Sequence, residues 1–216
     1  MKRIQAPFIS VTPTGPSLCE LSSVLDTLPR HPIDIVPWPS FPYKPDVGFV
    51  IGYDDKNVCV KFYVSEKFAR ATYGNPNDPV YKDSCVEFFI ALDGEDEYYN
   101  FEFNCAGTCL LGFGKGLDDR LPVPAEVIRS IRHLAIIKPS NSPEASISWE
   151  LTVMIPLHVF YFHKLKSLKG KKCRINFYKC GDDLPEPHFL AWNDIHSEAP
   201  DFHIPHYFGS MYFSEE

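Results

Sequence analysis

Twenty prolines in 216 residues are too many for a helical protein, because each ring removes a backbone donor and clashes with the preceding helical turn. They bracket short runs in which hydrophobic residues alternate with others at a period of two, which is the rhythm of β-strands with one buried face. The first stretch, through Tyr43, carries Pro29, Pro32, Pro37, Pro39 and Pro42. Residues 1–44 are therefore expected to form an extended, proline-rich lead-in segment, with few sheet hydrogen bonds, packed over the main body.

Strands are predicted at 47–53 and 58–65, joined by Asp54-Asp55-Lys56-Asn57, whose side chains suit a tight turn. A second hairpin is predicted from 84–92 and 98–111, separated by the acidic turn Asp93-Gly94-Glu95-Asp96-Glu97. Further strands are expected at 133–138, 147–155, 173–180, around 189–192 and at 209–213. Short helical turns are predicted at 66–72 and 124–131, the latter opening on Pro124, where a missing N–H does no harm. Roughly eight to ten short strands and little helix make an all-β, two-sheet antiparallel β-sandwich of the immunoglobulin-like or jelly-roll type the most economical architecture. The chain is expected to be one domain.

A formal charge of −7 without a basic stripe disfavours nucleic acid. No apolar run approaches the ~20 residues that span a bilayer, so no membrane partner is expected. Seven cysteines are an odd number without a CxxC pair, and Met1-Lys2-Arg3 is followed by no apolar export segment. Both features predict reduced thiols and a cytoplasmic location. Oligomeric state is not encoded in any pattern we recognise.

Register in the second hairpin is constrained, since Val86, Phe88, Ile90 and Leu92 must share a face with Tyr99, Phe101 and Phe103 to form a core. Glu87 then joins Asn100, Glu102 and Asn104 on the opposite face. A pairing of Glu87 with Asn104 avoids a like-charge contact with Glu102 and is preferred. Arg174, Asn176 and Tyr178 extend that polar face from a later strand. Such a surface suits sugars, whose hydroxyls take carboxylate and amide partners while their C–H faces stack on aromatic rings.

The segment Tyr81-Lys82-Asp83-Ser84-Cys85-Val86-Glu87-Phe88-Phe89-Ile90 resembles the aromatic-x-x-Asp-Ser-Val-Glu-x-Phe pattern of family 9 carbohydrate-binding modules, within the DOMON-like group of β-sandwiches. Trp149 to Pro156, Arg174 to Lys179, Ala191-Trp192-Asn193 and the tail from Phe202 to Gly209 are similar to later segments of that family in the same order. The resemblance implies a non-catalytic module that binds a glucan- or xylan-type carbohydrate ligand, with a link to carbohydrate catabolism. Two aromatic rings sandwich a terminal sugar in that family, and a Glu six residues after the first ring bonds its hydroxyls. The matching positions are Tyr81, Glu87 and Trp192, with His188 and Asn100 as further polar contacts. The family's Arg on the strand after the acidic turn is unmatched, because Tyr99-Asn100-Phe101-Glu102 offers Asn100 at the nearest position. Asn193, Asp194, His196 and His203 fall in loops at the rim.

Three alternatives accompany this reading. Glu87 with Glu102 or Asp83 could serve as the acid and base of a glycosidase, although no catalytic motif is present. DOMON-like domains can hold haem between Met and His, for which Met154 is the candidate ligand. No cofactor is expected beyond a structural calcium ion, for which Asp93, Glu95, Asp96 and Glu97 are suitable oxygen donors. EF-hand spacing is absent.

Overall fold

The computed structural model describes residues 1–10, 17–92, 94–141 and 144–215. Thirteen strands form among them: β1 (Arg3–Ala6), β2 (His31–Pro32), β3 (Asp46–Tyr53), β4 (Asn57–Glu66), β5 (Cys85–Leu92), β6 (Tyr98–Asn104), β7 (Cys109–Gly114), β8 (Leu121–Pro122), β9 (Arg132–Pro139), β10 (Ile147–Pro156), β11 (Lys172–Cys180), β12 (Phe189–Ala191) and β13 (Gly209–Phe213). They build two sheets. One has the order β1-β13-β11-β5-β6-β7-β8 with β12 also on β11, and the other the order β2-β3-β4-β10-β9. Every pairing is antiparallel except β1 with β13. The two-sheet sandwich read from the sequence is the fold observed.

Alternation decides what lies between the layers. Val86, Phe88, Ile90, Tyr99, Phe101, Ile175 and Phe177 from the larger sheet meet Phe49, Val60, Phe62, Trp149 and Leu151 from the smaller one. Phe49 stacks on Phe177 with ring centroids 3.5 Å apart, and Phe177 in turn stacks on Phe88 at 4.8 Å. At one end of this core lies a polar cluster. Lys179 pairs with Glu66 at 2.9 Å, both fully buried, while Trp149 Nε1 donates to Glu66 Oε1 at 2.7 Å.

Several local expectations are corrected. The lead-in segment contributes β1 and β2 to the sheets and contains a helix, α1 (Leu18–Leu25), before its first described proline-rich stretch. Ser17 Oγ accepts from Glu20 N, and the Glu20 carboxylate accepts from Ser17 N, a reciprocal cap that satisfies two otherwise orphaned donors. Leu21 and Leu25 pack on Val50, Cys59 and Met154, so the outer face of the smaller sheet is covered. Residues 67–72 form no helix; 66 ends β4. The segment 98–111 is two strands, because Gly107 at φ +91° lets the chain turn between β6 and β7. A short helix α2 (Ala125–Ile128) does follow Pro124. Among the described residues no helix is long and apolar enough to cross a membrane.

Candidate functional site

The outer face of the larger sheet is divided. Phe89, Ala91, Tyr98 and Tyr178 lie beneath Phe202, Phe208 and Ile204 of the C-terminal loops, which roof that half. The other half, bearing Glu87, Asn100, Glu102 and Cys180, opens into a pocket of about 600 Å³. Tyr81, Phe189, Phe202, Leu110 and Leu117 supply its apolar walls, and Asp182, Asp201, Arg120 and His203 its polar rim.

Tyr81 sits in a tight turn (Val80–Lys82) immediately before β5, where buried Val80 fixes the turn and the Tyr81 ring is left partly exposed. The adjoining Asp83 and Ser84 face away from the pocket and knit the preceding loop to the sheet. Asp83 Oδ2 accepts from Thr72 N, Tyr73 N and Asn104 Nδ2 at 2.9–3.0 Å, and its Oδ1 pairs with Arg70. Ser84 Oγ accepts from Arg70 N. Within one motif, then, two residues build the scaffold while Tyr81 and Glu87 reach the pocket.

Glu87 stands opposite Glu102, not Asn104, which pairs with Cys85. The register thus sets two carboxyls side by side instead of separating them. Burial, followed by the charge of Glu102, raises Glu87 well above the usual carboxylate range, and burial raises Glu102 to about 7. Glu87 Oε1 accepts from Cys180 Sγ at 3.0 Å and Glu102 Oε1 from Asn100 Nδ2 at 2.7 Å. Glu102 Oε2 is buried and has no hydrogen-bond partner among the described residues. Buried carboxylate oxygens without partners are costly.

Asn100 is fully committed: its Oδ1 accepts from Gly112 N and from Arg120 Nε, both at 2.9 Å. Arg120, from the loop leading into β8, thus places a cation beside Asn100 at the rim of the pocket. Its guanidinium also donates to Tyr98 O at 3.0 Å and lies 4.5 Å from the Tyr98 ring centroid. Gly112 leaves room for that side chain, since a Cβ there would stand 3.1 Å from Arg120 Nε, and a Cβ at Gly114 would stand 2.8 Å from Asp119 O. Burial lowers the Arg120 pKa but not enough to discharge an arginine. Asp182 is raised to about 6 by burial and by Asp183, whereas burial lowers His203 to about 3, keeping it neutral.

Two expected contacts are displaced. Trp192 is sealed between the sheets, edge-on to Phe49 and Phe177 with Gly209 against its ring. Counting by twos along β12 explains this, because Phe189 and Ala191 point outward while Leu190 and Trp192 point inward. His188, four residues from Trp192, is likewise buried beside Lys179 Nζ at 2.7 Å. The aromatic walls facing the pocket with Tyr81 are Phe189, which the parity of β12 turns outward, and Phe202, whose loop position carried no periodic signal. Arg120 had none either.

The alternatives also find definite places. Met154 is covered by α1. Glu95 meets His163 at 2.8 Å, and Asp96 lies 3.8 Å from Arg174, so these acids of the turn have partners within the chain. Asp93 lies outside the described residues. Asn193 bonds Lys2 N and Tyr207 O and holds the tail together.

The model of carbohydrate-binding family 9 matches residues 21–213. A solved chain from Bacteroides uniformis, proposed to be a carbohydrate-binding protein, is 37% identical with a TM-score of 0.89, over 98% of this chain and 99% of that one. A family 9 carbohydrate-binding module from Caldicellulosiruptor kristjanssonii in complex with cellotriose is 15% identical with a TM-score of 0.63, over 100% and 95% of the two chains. The match to a module of the same organism in complex with glucose is 14% identical with a TM-score of 0.61, covering 100% and 97%. No curated protein matches the chain.

Proposed function

Because the chain belongs to carbohydrate-binding family 9, we propose that it holds a glucan- or xylan-type sugar in the pocket above Glu87 and Glu102 and performs no chemistry on it. The observation that carries this reading is the pair of neighbouring carboxyls, Glu87 and Glu102, lining a pocket walled by aromatic rings. A sugar offers hydroxyl donors for this carboxyl pair and a C–H face for Tyr81. With one of the two carboxyls protonated, the pair presents both a donor and acceptors, which matches a hydroxyl's own dual character. Arg120 and Asn100 act by holding Glu102 in position. The cellotriose and glucose seen in the Caldicellulosiruptor complexes belong to the same ligand class.

A glycosidase places its two carboxyls on either side of the scissile bond. Glu87 and Glu102 lie side by side on neighbouring strands, on one side of any ring in the pocket. Asp83, the other candidate, is enclosed by its loop partners. This favours binding without turnover.

The test is calorimetric titration with cello- and xylo-oligosaccharides. Tyr81→Ala should weaken binding roughly tenfold, the loss of about 1.4 kcal/mol of stacking, and Glu87→Gln by a similar factor or more. Trp38 lies behind the wall, with ring centroids 6.1 Å from Phe189 and 5.7 Å from Phe202, and is the fluorophore expected to respond. Saturable binding left unchanged by both substitutions, or release of sugar from an oligosaccharide by pure protein, would refute the proposal.

A further inference from the structure

Cys180 and Cys85 stand opposite each other on β11 and β5, and Glu87 lies on the same face two residues along β5. One ligand atom from each of the three lies within 4.8 Å of the other two, and all three residues are buried. We propose that these side chains form a binding site for a thiophilic divalent cation of the zinc class in the floor of the pocket, sharing Glu87 with the proposed sugar site.

The donor set selects the metal. Two sulfurs and one carboxylate oxygen suit zinc, whereas calcium and magnesium require oxygen ligands. Tetrahedral zinc with bonds of about 2.3 Å to sulfur and about 2.0 Å to oxygen needs donors separated by roughly 3.5–3.8 Å. The present spacing encloses such a centre with side-chain adjustments only. Cys180 Sγ and Glu87 Oε1 are 3.0 Å apart because a thiol proton joins them, and a cation would replace that proton. Glu87 and Cys180 line the pocket, which gives an ion its route in, and a fourth position is left toward the cavity for water or for Asp182, which also lines it. Three protein ligands with one open position is a recurrent zinc arrangement.

Ligation ionises both thiols and requires Glu87 as a carboxylate, releasing two protons to solvent per cation, or three where Glu87 starts protonated, so the complex of two thiolates, one carboxylate and one divalent ion carries a single negative charge. Burial raises the Cys85 thiol to about 12 and the Cys180 thiol well above its usual range. Without a cation they therefore remain protonated, and affinity should climb with pH by roughly a hundredfold or more per unit, the signature of at least two displaced protons.

Cobalt(II) titrated into the full chain after chelator treatment should give one equivalent of thiolate-to-metal charge-transfer absorption. Zinc should erase it at near-stoichiometric amounts, and excess calcium should not. Cys85→Ala and Cys180→Ala should each abolish the band, while Cys59→Ala, on the far face under α1, should keep it. Absence of the band in the unmodified chain at pH 8, or its survival in Cys180→Ala, would overturn the proposal. The unmodified chain alone decides it should either variant fail to fold, because a band whose affinity ignores pH would also count against thiol ligation. Sugar titrations of the metal-free chain remain informative whichever result is obtained.

Discussion

Glu102 keeps its proton to about pH 7 in the fold but only to about pH 4.5 in a solvated chain. Between those values the native state holds the extra proton, so this residue stabilises at low pH and loses its contribution as pH rises through 7. Glu87 and Asp182, raised in the same direction, act alike. His188 and His203, both lowered to about 3, act oppositely between pH 3 and 6.5, so the bare melting curve mixes signs. The comparison with Glu102→Gln isolates the effect: the variant should melt higher than the parent at pH 8, and the gap should close toward pH 5. A gap that is constant with pH would show that Glu102 is ordinary. At this scale Glu87 was legible because the motif and strand alternation agree on it. Trp192 follows the parity of β12, which sends it inward with Leu190, and chain order alone carries no trace of that parity.

Among elements, the turn between β6 and β7 depends on Gly107, at φ +91°. A Cβ there would also stand 2.3 Å from the His133 ring. Gly107→Ala should cost about 1–3 kcal/mol, seen as a lower denaturation midpoint at unchanged slope. An unaltered midpoint would mean that β9, which carries His133, gives way freely. The long strands β3, β4, β5, β10 and β11 were readable from period-two alternation, to within a residue or two of their ends. Helix α1 was not, since the prolines of the lead-in segment begin at Pro29 in the described part that follows it. Its capping box was in plain view as Ser17-x-x-Glu20. Arg120 escaped for a different reason: a loop residue reaches its partner through tertiary folding, and Asn100, twenty positions earlier, carries no local trace of it.

For the molecule as a whole, the buried pair Lys179 and Glu66 joins the two sheets through side chains that alternation alone would have made apolar. Dehydrating both ions offsets most of their attraction, so the pair itself adds little stability, yet removing one partner strands the other. Lys179→Met alone should destabilise by about 3–5 kcal/mol, and Lys179→Met with Glu66→Leu should recover most of that loss in thermal unfolding. Additive losses in the double variant would show that the two residues are not coupled. The consequence reaches beyond energy. Oily layers can slide over one another at small penalty, but a salt link sunk between them has a single matching alignment, so it works like a dowel between two boards. The proposed sugar contacts on the outer surface inherit their placement from that peg, and a chain that lost the pair should keep most of its heat resistance while its pocket drifts out of true.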